Sequence, residues 1–239
     1  MPIRTYLLCH AHPDDETLAT GAIALALKAR GDHVVILTAT RGEKGEVMPG
    51  PHAALEGTPE LAAIREAELA TAVASLGADH AYLGTGTARA AGLMSRRYTD
   101  SGMRWVTPTL AGPGADAGPD SLTAADAAEV VADIVACARG VMATDLVSYT
   151  DDGGYGHPDH VRLHDATRSA ASTLGLPFWV IVTDKDGAYD EWLDAHDQSA
   201  ALHAAFDAYA TQFRRDGDLI THVGGQPDTV VRAAGLLRG

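Results

Sequence analysis

A cluster of histidine and acidic residues stands near the start of the chain. The segment His10-Ala11-His12-Pro13-Asp14-Asp15-Glu16 follows a short apolar run and precedes a helical pattern. Three consecutive acidic residues repel one another unless a cation or a helix N-terminus offsets their charge. The segment therefore predicts either a metal site or an acidic helix start with one capping aspartate and one hydrogen-bonded histidine.

A second cluster, Tyr155-Gly156-His157-Pro158-Asp159-His160, favours the metal site. It follows another apolar run, and Pro158 is typical of the first position of a helix. Residues three apart share a helix face, so His157 and His160 point the same way. Two such clusters after strands of a parallel sheet are expected to meet at the carboxyl edge of that sheet.

Two imidazoles and one carboxylate are what a catalytic zinc ion needs while it keeps an open position for water. The same ligand set suits non-haem Fe²⁺. The residue types by themselves thus leave both hydrolase and oxygenase chemistry open.

The two motifs resemble those of the LmbE/PIG-L-type zinc-dependent N-deacetylases. That family's Ala-His-Pro-Asp-Asp-Glu motif stands at 11–16, and its His-Pro-Asp-His motif stands at 157–160. Within the family, shorter shared stretches at 45–47, 82–84, 100–103 and 153–156 are most similar to the mycothiol-pathway branch. This branch contains the N-acetylglucosaminyl-inositol deacetylases and the mycothiol S-conjugate amidases. The likeness runs from about residue 5 to residue 165.

The resemblance implies a role for each motif residue. It implies that the metal ligands are His12, Asp15 and His160. It implies that Asp14 is the general base, that His157 acts on the reacting carbonyl beside Tyr155, and that Asp159 orients His157. Amide hydrolysis needs this division of labour, because it requires an activated water, a stabilised oxyanion and a proton for the leaving amine.

Three further residues are candidates for substrate binding. Arg65 falls within the apolar stripe of a predicted helix, where a guanidinium is costly unless it is paired. We expect it to contact ligand rather than only a carboxylate such as Glu68. The resemblance adds Glu46 and Asp100, whose carboxylates would accept hydrogen bonds from sugar or cyclitol hydroxyls.

The elements that must position these residues alternate between strand and helix patterns. Apolar runs predict strands at 6–9, 33–39, 80–83, 146–149 and 178–182, and helical patterns occupy 16–30, 58–76, 122–139, 157–174 and about 194–213. This order predicts an α/β, Rossmann-like, mostly parallel sheet with helices on both faces. Long loops at 40–57 and 84–120 should overhang its carboxyl edge. We expect one domain over 1–239, with a core at about 5–183 and a helical extension at about 186–239.

Composition limits the classes of partner. The 239 residues carry 18 Lys and Arg against 32 Asp and Glu, a net charge of −14, which argues against nucleic acid or anionic membranes. No apolar run is long enough for a membrane span, and no leader pattern is visible. Cys9 and Cys137 lie in apolar runs, as buried free thiols do, so a cytoplasmic location is expected. The sequence gives no indication of an oligomeric state.

These observations predict a metal-dependent hydrolase with bound Zn²⁺, or alternatively Fe²⁺. It would remove the acetyl group from an N-acetylglucosaminyl-inositol-like substrate, a small-molecule aminosugar conjugate. The alternatives are a mycothiol S-conjugate amidase, a deacetylase of another N-acyl aminosugar such as an antibiotic precursor, and a non-catalytic metal- or sugar-binding module. The presence of Asp14 beside the ligands argues against the last, since a binder needs no base.

Overall fold

The computed structural model describes residues 2–107 and 110–239, and its twelve strands form three sheets. The strands are β1 (Thr5–His10), β2 (His33–Thr38), β3 (Asp79–Tyr82), β4 (Arg104–Thr107), β5 (Leu110–Gly112), β6 (Asp145–Ser148), β7 (Phe178–Val182), β8 (Glu191–Asp194), β9 (Phe213–Asp216), β10 (Leu219–His222), β11 (Pro227–Thr229) and β12 (Ala233–Arg238). The helices are α1 (Asp15–Ala29), α2 (Glu60–Leu76), α3 (Ala127–Gly140), α4 (Gly153–Gly156), α5 (Pro158–Leu174) and α6 (Ser199–Asp207).

The central sheet has seven strands in the order β3-β2-β1-β6-β7-β12-β8. The first five are parallel, and β12 is antiparallel to both of its neighbours. Strands β1 and β2 read as continuous apolar runs, which is typical of strands covered on both faces. The remaining strands form a three-stranded sheet, β11-β10-β9, and the β4–β5 pair.

Helices cover both faces of the central sheet. Helices α1, α2 and α6 pack on the side of Tyr6 and Leu8. Helices α3 and α5 pack on the side of Leu7 and Cys9. Successive side chains of β1 therefore fill two separate cores, because strand residues alternate between faces. The predicted α/β class, with a mostly parallel sheet between two helical layers, is confirmed.

The C-terminal region differs from the predicted helical extension. Beyond residue 186 the chain has one α-helix, α6, and five strands, so that prediction is wrong in its secondary structure. The alanine-rich stretch ends at Asp207, and the glycines at 217 and 225 adopt positive φ in the turns that follow. Strands β8 and β12 belong to the central sheet, although they follow the expected boundary near 183–186. The chain after this boundary is therefore part of the same sheet as the chain before it. The single-domain organisation stays a prediction.

Helix α3 begins five residues later than predicted. Its N-cap is Asp126, whose side chain accepts a hydrogen bond from the Ala128 N–H. The predicted start, Leu122, is instead buried and donates its backbone N–H to the Thr99 carbonyl. Residues 122–124 then form a turn in which the N–H groups of Ala124 and Ala125 donate to the Ser121 carbonyl, and α3 begins only after this turn.

The connections that follow β2 and β3 are long, as predicted. Residues 39–59 and 83–126 leave the carboxyl ends of these strands. Residues 108–109, within the second predicted loop, lie outside the described part of the chain. Across the part that is described, no helix combines the length and the apolar character needed to cross a bilayer.

Candidate metal centre and active-site cavity

The two histidine motifs meet where β1 and β6 end. His12 lies in the turn after β1, and Asp15 is the first residue of α1. His157 is the N-cap of α5, and His160 lies in the first turn of that helix. All four line a cavity of about 680 Å³, a size typical of small-molecule sites.

Three of the expected ligand groups form a triangle whose Asp15 corner consists of both carboxylate oxygens, one facing each imidazole. His12 Nδ1 lies 3.3 Å from Asp15 Oδ2, and His160 Nε2 lies 3.3 Å from Asp15 Oδ1. The two imidazole nitrogens are also 3.3 Å apart. Zinc bonds of about 2.0–2.1 Å in tetrahedral geometry place ligand atoms about 3.3–3.4 Å apart. The facing pairs of ligand atoms therefore have the spacing found around a tetrahedral divalent ion, with each imidazole nitrogen facing a different oxygen of the Asp15 carboxylate.

Hydrogen bonds on the far side of each ring fix which nitrogen faces this triangle. His12 Nε2 lies 3.2 Å from Asp159 Oδ2, and His160 Nδ1 lies 3.1 Å from the Gly153 carbonyl oxygen. Both acceptors require a proton on the ring nitrogen that they contact. In the neutral tautomers so assigned, His12 Nδ1 and His160 Nε2 direct lone pairs at each other. Facing lone pairs are favourable only with a cation between them, so the cluster is consistent with a divalent metal.

The pKa shifts of His12 and Asp14 also indicate a site that attracts a cation. Although burial opposes its charged form, the carboxylates of Asp100, Asp15 and Asp159 raise the pKa of His12 well above its ordinary value. Burial and the neighbouring charge of Asp15 raise the pKa of Asp14 well above its ordinary value. The carboxylates around His12 thus create a potential that attracts positive charge.

Among the described residues, two groups offer one ligand atom per residue with all atoms within 4.8 Å of one another, and both contain His12. The set with Asp15, whose contacts use two carboxylate oxygens, is not one of them. The two groups are His12 with His157 and His160, and His12 with Asp100 and Asp159. The acidic pair faces His12 Nε2 at 3.6 and 3.2 Å, the nitrogen that does not face His160. The Nδ1 atom of His157 accepts a hydrogen bond from the Asp159 backbone N–H at 3.2 Å, so its neutral ring presents a donor Nε2–H. This hydrogen-bonding pattern favours the set with Asp15 as the candidate metal site.

Asp14 occupies strained backbone at the cavity wall. Its φ is 107° and its ψ is −32°, an arrangement that non-glycine residues rarely adopt. Its carbonyl accepts the first hydrogen bonds of α1, from Thr17 and Leu18. The strained turn places Asp14 in the cavity lining, next in sequence to the candidate ligand Asp15.

His157 and Tyr155 line the same cavity and lie close to one another. The His157 ring contacts the His12 ring edge-on, with 4.6 Å between the ring centroids. The centroids of the Tyr155 and His157 rings are 6.0 Å apart. Burial and the nearby imidazoles of His12 and His160 lower the pKa of His157 to about 4. Tyr155 is 60% exposed and lines the cavity, so its hydroxyl is accessible to a ligand.

The contacts of Asp159 differ from the expectation that it orients His157. Its carboxylate accepts hydrogen bonds from His12 Nε2, from the Ser101 N–H at 2.9 Å and from the Ser101 hydroxyl. Only the backbone N–H of Asp159 contacts His157. The first turn of α5 directs the side chain towards His12 instead, and the expected pairing is corrected accordingly.

The three expected substrate-binding residues are placed differently from one another. Asp100 is buried and lines the cavity. Arg65 also lines it, but its terminal nitrogens donate to the backbone carbonyls of Gly42 and Glu46, so the side chain fastens the first long loop. The Glu46 side chain is exposed and does not line the cavity. The Arg65 side chain is therefore held by two loop carbonyls and not by an ion pair with Glu68, whose carboxylate instead accepts hydrogen bonds from Thr211.

Sequence reasoning missed several residues that touch the motifs. The Tyr149 hydroxyl donates to Asp15 Oδ2 at 2.8 Å, and the Tyr149 ring stacks on His160 at 4.1 Å. Ser101 binds Asp159, and Gln212 donates from Nε2 to the Pro13 carbonyl at 2.7 Å. Tyr149 ends the apolar run before the second motif, a position that could have marked it. Gln212 carries no local signal.

Comparison with known proteins bears on the same segments. A model of the family described as "PIG-L: GlcNAc-PI de-N-acetylase" matches residues 7–171. A protein of Kineococcus radiotolerans, named 1D-myo-inositol 2-acetamido-2-deoxy-alpha-D-glucopyranoside deacetylase, is 48% identical over 169 residues, which cover 69% of this chain and 44% of that protein. A protein of the same name from Kribbella flavida is 35% identical over 231 residues, or 95% of this chain and 72% of that protein.

The chain spans about half the length of several curated relatives that it matches. Among solved structures, a teicoplanin-biosynthesis deacetylase in complex with teicoplanin has a TM-score of 0.60 at 19% identity, with 98% of each chain covered. At this identity the likeness shows the fold alone.

Proposed function

Because the chain belongs to the PIG-L (GlcNAc-PI de-N-acetylase) family, we propose that it is a zinc-dependent N-deacetylase. Its substrate would be an N-acetylglucosaminyl-inositol-like aminosugar conjugate, and its products would be acetate and a free amine. The relatives from Kineococcus and Kribbella carry the name of such a deacetylase. The observation that carries the proposal is the cluster of His12, Asp15 and His160. Its two facing imidazole nitrogens lie 3.3 Å apart, and each lies 3.3 Å from a different oxygen of the Asp15 carboxylate, a spacing that suits ligands of a divalent ion.

These three residues would hold the ion. A bound zinc ion polarises an amide carbonyl and lowers the pKa of its water from about 15.7 to about 7. Asp14, whose strained backbone lies at the same cavity, would accept a proton from the attacking water. As the C–N bond breaks, Asp14 or His157 would deliver a proton to the nitrogen of the leaving amine.

His157 would act on the other side of the reacting amide. Its Nδ1 accepts the Asp159 N–H, so its Nε2–H is the atom that donates a hydrogen bond to the carbonyl oxygen. The exposed hydroxyl of Tyr155 would add a second donor. Asp100, buried in the cavity wall, would accept a hydrogen bond from a sugar hydroxyl, while Arg65 would hold the loop that closes the cavity.

The test is acetate release from a panel of N-acyl aminosugars together with the metal content of the purified protein. We expect about one Zn²⁺ per chain and turnover of N-acetylglucosaminyl-inositol. Asp14→Asn should retain zinc and lose most turnover, by about 10²–10⁴-fold for a general base. Unchanged turnover in that variant contradicts the mechanism, and zinc binding without acetate release from any panel member indicates a binding module.

A further inference from the structure

Part of the cavity wall comes from the C-terminal region. Thr183, Gln212, His222, Asp228 and Val231 line the same cavity as the metal cluster. All five lie beyond residue 171, where the family match ends. This part of the chain thus supplies cavity surface that the PIG-L motifs do not contain.

Hydrogen bonds fix this region against the metal-binding turn. The Tyr209 hydroxyl donates to Glu16 Oε1 at 2.6 Å, and Gln212 Nε2 donates to the Pro13 carbonyl at 2.7 Å. Thr211 donates both its N–H and its hydroxyl to Glu68, at 2.8 and 2.6 Å. Residues 209–212 therefore hold the start of the three-stranded sheet at a defined position relative to His12 and Asp15.

The β10–β11 hairpin turns one face towards the body of the protein. Ile220 lies opposite Asp228 in the strand register, and His222 shares that face because strand side chains alternate. Ile220 is fully buried, whereas the side chains of His222 and Asp228 are 33% and 55% exposed. His222 Nε2 and Asp228 Oδ2 are 3.5 Å apart. This pair therefore stands at the edge of the core with polar atoms available to a ligand in the cavity.

The charge of the cavity limits what such a ligand is. Within the described chain, Arg65 is the sole Lys or Arg of the lining, and its two terminal nitrogens are bound to loop carbonyls. An adjoining cavity, which shares Ala19 and Thr183 with the first, is lined by Asp152 and Asp184. Carboxylates accept hydrogen bonds and repel anions. The part of the wall formed by His222 and Asp228 accordingly suits a group rich in hydrogen-bond donors and disfavours a phosphate or carboxylate.

We propose that His222 and Asp228 form a distal subsite that binds a donor-rich, non-anionic group attached to the aminosugar. This inference rests on the proposed deacetylase function. The group is a polyol or a second, cationic aminosugar, both of which offer donors to the carboxylate. Leu18, Ala19 and Val231 supply the apolar floor against which its carbon skeleton packs.

The test compares kcat/KM for four substrates: the methyl glycoside of N-acetylglucosamine, N-acetylglucosaminyl-inositol, N-acetylglucosaminyl-glucosamine and N-acetylglucosamine 1-phosphate. In Asp228→Asn we expect the preference for the inositol or glucosamine conjugate over the methyl glycoside to fall about tenfold, mainly through KM. His222→Gln should lower this preference by less than Asp228→Asn does. Asp228→Arg should raise relative activity on the 1-phosphate. The two conjugates distinguish a polyol from a cationic partner.

Asp216→Asn is the matched control, since Asp216 is an exposed carboxylate of β9 in the same small sheet and does not line the cavity. It should leave the preference unchanged. Equal losses on all substrates in Asp228→Asn, or no loss on any, overturn the subsite.

Calorimetric binding of glucosaminyl-inositol requires no turnover. Weaker binding by Asp228→Asn than by Asp216→Asn supports the subsite even if the wild type releases no acetate, an outcome that would reject the deacetylase function alone. Equal binding by the two variants rejects the subsite.

Discussion

The Nε2 atom of His12 lies 3.2 Å from the Oδ2 atom of Asp159, so a hydrogen bond joins the side chains of the two histidine motifs. The same carboxylate accepts the Ser101 N–H at 2.9 Å, and the Ser101 hydroxyl contacts its other oxygen. Thr123 in turn donates its N–H to Ser101 Oγ at 3.1 Å. The long second loop thereby supports the ring whose Nδ1 would bind the proposed metal.

Loss of this support should weaken metal binding. We expect Asp159→Asn to lower zinc affinity by about 10–100-fold, because the carboxylate fixes the tautomer and orientation of His12. Ser101→Ala should lower it less, since Asp159 keeps the backbone N–H of residue 101. Competition with a chromophoric chelator measures both. Ser95→Ala, an exposed change in the same loop, is the control. Zinc affinity in Asp159→Asn equal to that of the control would show that the contact has no effect on the metal.

The backbone of Asp14 yields a prediction about stability. A φ of 107° is strained for any residue with a Cβ and is readily adopted by glycine. Asp14→Gly should therefore exceed Asp14→Ala in free energy of unfolding by about 1 kcal/mol, although neither variant retains the carboxyl group. Urea denaturation of the metal-free proteins measures the difference. If alanine is as stable as glycine here, the turn carries no strain.

Arg65 should be essential for holding the first long loop in place. It is 2% exposed and donates to the carbonyls of Gly42 and Glu46 from two different nitrogens. A lysine has one ammonium group and cannot reproduce this fork, so Arg65→Lys should destabilise the protein by about 1–3 kcal/mol. Limited proteolysis should then cleave within residues 40–57 sooner than in the wild type. Arg97→Lys, at a more exposed arginine, is the control. Cleavage of Arg65→Lys at the wild-type rate would show that the loop is held by other contacts.

The residues that the structure brings together, as the sequence predicted, are those whose position follows from a nearby element boundary. His12, Asp15 and His160 each lie within a few residues of a strand end or a helix start, and parallel strands bring such ends to one edge. Their mutual approach follows from the order of the elements, although their roles stay predictions.

The expectations that differ from the structure depend on side-chain directions within loops or on distant pairings. Glu46 lies in a loop whose path is set by Arg65, and nothing in the adjacent residues indicates that its side chain faces solvent. Tyr209 reaches Glu16 across 193 positions. His222 and Asp228 come to the cavity only because a three-stranded sheet forms where a helix was expected. No local periodicity encodes these contacts.

The pH dependence of stability should contain a contribution from His80. Its Nε2 lies 3.1 Å from Thr38 Oγ1, and burial together with the charge of Arg41 lowers its pKa from 6.5 to about 4. Between these two values the unfolded chain binds a proton that the folded chain does not. The stability contributed by neutral His80 is therefore present above pH 6.5 and is lost as the pH falls towards 4.

His80→Gln should remove this dependence. Between pH 7 and pH 5, the free energy of unfolding of the wild type should fall by about 1 kcal/mol more than that of the variant. This magnitude is reduced because His80 is partly exposed to solvent. Urea denaturation at the two pH values provides the measurement, and His52→Gln, a change in the first long loop away from the sheet, is the control. If both variants follow the wild-type pH dependence, His80 is not the group that titrates, because its imidazole would then bind protons equally in the folded and unfolded chains.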